Sequence, residues 1–96
     1  MGKKPRERPE HLGPKLLAIR RHLKLSQSEI AWRLGFESSC SRICEYEYGH
    51  REPNLLILLR YSQLVRIHLE MIVDDRISLT RFRDALCKSA SNLSIR

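Results

Sequence analysis

The segment Leu25-Ser26-Gln27-Ser28-Glu29-Ile30-Ala31-Trp32-Arg33-Leu34-Gly35 limits what this chain can fold into more than any other stretch. Ser26 and Glu29 are three residues apart. At that spacing a serine hydroxyl and a glutamate carboxylate each take a backbone N–H at the start of a helix. Ile30, Ala31 and Leu34 then fall on one side of a helical period. Ala31 is small enough to let a neighbouring helix approach closely, and Gly35 supplies a left-handed stop. The segment predicts a short capped helix, 26–34, ending in a forced turn, with a second helix following within a few residues.

Length leaves room for this and little more. A chain of 96 residues makes one domain with a core of a few helices, too small for a large catalytic cleft. No long uncharged apolar run is present, which argues against a membrane span. The Met1 end is polar and basic, unlike a secretory signal, and Arg6 stands where myristoylation favours Ser or Thr. Three cysteines without an export signal predict a reduced, cytoplasmic setting.

The net charge of +7 suits a polyanionic partner, but it is unevenly spread. Residues 1–33 carry nine basic and three acidic groups, 34–58 two and four, and 59–96 seven and four. Positive charge thus flanks the central segment and does not coat it.

Residues 1–11 are charged, contain Pro5 and Pro9, lack apolar periodicity and predict a flexible basic arm. Gly13-Pro14 opens a first helix, with Leu12, Leu16, Ile19 and Leu23 as its buried face. A serine-rich turn, 36–39, leads to a third helix near Cys40–Tyr48, stopped by Gly49. Asn54 is the expected N-cap of a fourth helix, whose Leu55-Leu56-Ile57-Leu58-Leu59 run is apolar nearly all round. That pattern predicts burial through the middle of a bundle, with one side open to a partner subunit as the alternative. Residues 68–73 read as a short helix or a strand. From Thr80 a weak amphipathic helix is possible, with Phe82, Ala85 and Leu86 on one side. The expected organisation is all-α: an arm over 1–11, a compact bundle of about five short helices over 12–75, and a C-terminal extension over 76–96 with at most a short helix.

A capped helix, a glycine turn and a second helix in this order form the pattern of a helix-turn-helix, which commonly lays its second helix in the DNA major groove. The resemblance goes further. Leu25-Ser26-Gln27, Glu29-Ile30-Ala31 and Leu34-Gly35 are followed by Ser41-Arg42-Ile43, Tyr46-Glu47-Tyr48-Gly49 and Arg51-Glu52-Pro53-Asn54-Leu55. In that order they resemble the Cro/phage-repressor (XRE-type) helix-turn-helix family from about Gly13 to Val73. The resemblance implies a lambda-repressor-like DNA-binding domain. It gives Gln27 a phosphate contact at a helix N-terminus, where free amides favour anions. It pairs Arg20 with Glu47 as a structural ion pair, whose loss on one side would cost about 3–5 kcal/mol if buried. It also turns Ile43 and Tyr46 to the core, makes Ser39 a cap that can touch phosphate, and sets His50 and Arg51 beside the backbone. Helical spacing then leaves Cys40, Ser41, Cys44, Glu45 and Tyr48 on the groove-facing side.

Two features depart from the family pattern. Gly35 to Gly49 is about two residues longer than in relatives, an insertion best placed at Phe36-Glu37, with Phe36 taking the usual apolar role after the glycine. Ser38, Ser39 or Ser41 could then cap the third helix. The reading face also lacks the strong bidentate readers: Arg42 is the best candidate for guanine and Glu45 can accept from cytosine. For Arg42 a surface ion pair with a neighbouring glutamate is the alternative.

Cys40 and Cys44 are one helical turn apart. Zinc requires more ligands than this pair offers, a disulfide across one turn would be strained, and ordinary half-buried thiols are the simpler account. Trp32, on the polar side of its helix, is expected to pack on Phe36 or a neighbouring helix. No nucleophile–base pair or phosphate-cradling glycine loop supports an enzyme, and no cofactor or metal is expected. The sequence therefore predicts a duplex-DNA-binding transcriptional regulator, homodimeric and nucleoid-associated. The alternative is an interaction module or antitoxin-like protein that uses the fourth helix or residues 80–96 to bind another protein.

Overall fold

The computed structural model describes residues 10–36 and 40–94. Among them the structure is all-helical: α1 (Leu12–Leu23), α2 (Gln27–Leu34), α3 (Cys40–Tyr48), α4 (Leu55–Val65), α5 (Leu69–Val73) and α6 (Leu79–Ser94). Of the arm expected over 1–11, residues 1–9 lie outside the described residues, as do Glu37, Ser38 and Ser39; His11 is instead the N-cap residue of α1, its N–H donating to Asp75 Oδ1 at 2.8 Å.

Pro14 occupies the first turn of α1, where a missing N–H removes no helical hydrogen bond. Leu12, Leu16 and Ile19 are buried as the periodicity predicts, and Leu23 is half-buried. The helix ends at Lys24, which adopts the left-handed conformation with φ 58° and returns its N–H to Arg21. At α2, Ser26 Oγ accepts from Glu29 N at 3.1 Å while Glu29 Oε1 accepts from Ser26 N at 2.7 Å, the reciprocal cap that the sequence predicts. This backbone hydrogen bond holds the Glu29 carboxyl below its ordinary range. Gly35 closes α2 at φ 96°. Asn54 caps α4 as expected, its side chain accepting from Ile57 N at 2.9 Å.

Ile30, Ala31 and Leu34 of α2 meet Ile43 and Tyr46 of α3 and the α1 face in a single core, completed by Ile57, Leu58, Tyr61 and Val65 of α4, Ile72 of α5, and Phe82 and Leu86 of α6. α1 is central: it packs against α3 on one side and α6 on another.

Of four expectations, two hold and two are corrected. The five short helices expected over 12–75 are present as α1 to α5, and α6 follows them. Of the helix and strand readings of 68–73 the structure has the helix, Leu69–Val73, with Ile72 inward. The region after residue 75 is not an appendage: α6 spans 16 residues, and Phe82 and Leu86 are buried in the common core. α4 does not run through the middle of the bundle. Its Ile57, Leu58, Tyr61 and Val65 side is buried, while Leu55 and Leu56 are 70% and 54% exposed and Leu59 also faces out.

Candidate nucleic-acid interface

Glu47 organises the surroundings of α3. Arg20 of α1 donates to it twice, Nε to Oε2 at 2.6 Å and Nη2 to Oε1 at 3.1 Å, and Arg20 Nη1 also reaches the carbonyl of Leu25 at 3.2 Å. The carboxylate is only 5% exposed, so this two-pronged guanidinium contact compensates its burial. It also raises the Arg20 pKa, keeping the guanidinium charged. The Arg20–Glu47 pair expected from the sequence is therefore formed, and it ties the end of α1 to the end of α3.

Gln27 joins the same cluster. Its Nε2 donates to Glu47 Oε1 at 3.2 Å. The side-chain amide is thus bound to α3, a use that the sequence did not suggest. What remains outward at this end of α2 is the first turn, where the amides of Gln27 and Ser28 have no partner inside the helix.

With Ile43 and Tyr46 buried, the other side of α3 is open. Cys40, Ser41 and Arg42 are exposed, Cys44 and Glu45 are half-buried, and Tyr48 is 73% exposed. Ser41 lies within the first turn of α3 and so is not its N-cap. Ser38 and Ser39, the other expected capping and contact residues, lie outside the described residues. The Arg42 guanidinium sits 5.8 Å from the centre of the Phe36 ring, a cation–π distance; among the described residues it makes no ion pair with a neighbouring glutamate. Phe36 in turn tilts against Tyr46 at 6.3 Å and packs on the core, which is the role expected for it.

His50 and Arg51 fold back on the end of α3, both N–H groups donating to the Glu45 carbonyl at 2.9 and 3.3 Å. Arg51 Nε also donates to the Glu45 carboxylate at 3.2 Å, and the His50 ring lies 6.2 Å from that of Tyr48. Glu45, which could accept from a base, is engaged with Arg51. That contact also offsets the repulsion a bare carboxylate would exert on a polyanion.

Cys40, Cys44 and Cys87 are free thiols. Among the described residues no three metal-binding side chains converge, and no helix is long and apolar enough to cross a membrane. Trp32, expected to be covered by Phe36 or a neighbouring helix, is open to solvent. It is 70% exposed, because it points away from the face carrying Ile30, Ala31 and Leu34.

Sequence reasoning missed Arg60, whose Nη1 donates to the Leu34 carbonyl at 2.6 Å and caps the end of α2. No positional signal marks such a contact, since it joins residues 26 apart. Compared with models of protein families, with curated proteins and with solved structures, the chain returned no match.

Proposed function

We propose that this chain is a sequence-specific regulator that binds duplex DNA, of the Cro/phage-repressor helix-turn-helix type, with α3 as the helix that enters the major groove. One observation carries this reading: the Arg20–Glu47–Gln27 cluster locks α1, α2 and α3 together while Cys40, Ser41, Arg42 and Tyr48 stay exposed. A rigid frame behind an open helix face is what base reading requires. Around that face the first-turn amides of α2 and the side chains of His50 and Arg51 supply phosphate contacts. Arg42 reads a base or grips phosphate by leaving the Phe36 ring, a small cost for an exposed pair.

The regulator acts as a homodimer on a two-fold-related site. A second reading, an interaction module that does not read DNA, is favoured by the outward leucines of α4, which suit a protein partner equally well.

Selection of bound sequences from a random duplex pool, followed by a salt series, tests the proposal. A palindromic consensus with affinity falling steeply with salt is expected. Arg51→Ala should reduce the slope of log affinity against log salt by about 1 without altering the melting temperature. No enrichment at low salt would overturn the DNA reading and leave the interaction module.

A further inference from the structure

A groove of about 320 Å³ runs between α1 and α6. Leu17, Ala18 and Leu86 form its apolar floor, while Arg21 and His22 of α1 and Arg83 of α6 stand at its rim. Among the described residues no carboxylate lines it, and the ion pairs formed there involve neither Arg21 nor Arg83. Ala18 lies on the opposite side of α1 from Gly13 and Arg20, the positions that meet α3, with Leu17 and Arg21 between.

Size and charge together choose the occupant. The volume is at the low end for small-molecule sites and amounts to roughly ten water volumes. A helix of a partner protein, about 10 Å across, is too thick for it. A second copy of the chain packed isologously here would set arginines against arginines. A small molecule with one anionic end and an apolar body satisfies both parts of the lining.

We propose that the α1–α6 groove is a binding site for a small apolar carboxylic acid, its carboxylate held by Arg21 and Arg83 and its tail laid along Leu17, Ala18 and Leu86. Guanidinium groups suit a carboxylate because they donate in pairs to both oxygens. The half-buried floor removes a tail of roughly six to ten carbons from water.

Backbone amide NMR of the full chain, titrated with octanoate, tests this, with octan-1-ol and octylamine as neutral and cationic counterparts. Saturable shifts confined to α1 and α6 are expected with octanoate, and binding about tenfold weaker or absent with the other two. The Arg21→Gln/Arg83→Gln double variant should lose about tenfold in octanoate affinity at an unchanged melting temperature. Ala18→Leu should block the floor while the circular dichroism stays that of the parent. Equal responses to all three probes, or shifts centred on Leu59 to Leu69 of α4 and α5, would mean adventitious apolar binding and overturn the proposal, as would the absence of saturable shifts. The measurement uses protein alone, so its outcome is independent of DNA binding.

Discussion

Lys15 is wholly buried, and the protein meets its charge from two directions. Nζ donates to the carbonyls of Met71 and Asp74, both at 2.9 Å, and lies 5.7 Å from the centre of the Phe82 ring. Those carbonyls end α5, where a cation is favoured. Burial lowers the lysine pKa, opposed by the nearby charges of Asp75 and Asp74. Lys15→Met keeps much of the volume but strands the Met71 carbonyl, since that of Asp74 still accepts from Ile77 N at 3.0 Å, and should lower stability by about 1–2 kcal/mol in urea unfolding; a variant as stable as the parent would rule out the staple. Asp74 itself is held by Arg76, whose side chain and backbone N–H both donate to it, and its pKa falls from 3.8 to about 2. A depressed carboxylate favours the folded state above its unfolded value, and that contribution disappears as pH falls from near 4 toward 2. Carboxyl-carbon NMR should place the Asp74 midpoint near 2, moving up toward 3.8 in Arg76→Gln; an unmoved midpoint would exclude Arg76 as the cause. Neither residue was legible as a special one. A lysine in an amphipathic helix reads as solvated, and Asp74-Asp75 reads as a surface stop, because their partners are distant or conformational.

Helices were legible where the signal is local. The Ser26–Glu29 cap, the Gly35 stop and the Asn54 cap all depend on neighbours within three or four residues, and all are formed. Faces were less legible. An all-apolar run such as Leu55 to Leu59 has no contrast to show which side meets the core, so α4 was placed too deep. The site divides in the same way: Arg20–Glu47 came with the resemblance, whereas Gln27 on Glu47 and Arg51 on Glu45 required coordinates. Gly13 is another case. From sequence it opens a helix; in the fold it lets α1 approach α3 so closely that an added Cβ would lie 2.8 Å from the Glu47 carbonyl and 3.1 Å from that of Tyr46. Glycine to alanine usually stabilises a helix by up to about 1 kcal/mol. Here Gly13→Ala should reverse that sign, lowering stability by about 1–3 kcal/mol through backbone overlap, with thermal unfolding as the measurement. A gain in melting temperature would contradict the close approach.

At the scale of the whole molecule, Leu55, Leu56 and Leu59 of α4 form an exposed apolar stretch. Patches of this kind mark association surfaces more often than bare ones. If the proposed dimer forms there, Leu55→Ser/Leu59→Ser should yield a folded monomer by sedimentation at concentrations where the parent is dimeric. A double variant that remains dimeric would move the subunit interface elsewhere. The core adds a constraint of its own. Leu16 and Ile19 of the first helix share it with Phe82 and Leu86 of the last, and Lys15 reaches across 56 and 59 residues to the end of α5. During synthesis, which proceeds from the N-terminus at roughly 5–20 residues per second, α1 to α4 are made before the residues that seal α1 exist. The face of α1 that Phe82 and Leu86 cover therefore has no native partner until those residues have been made.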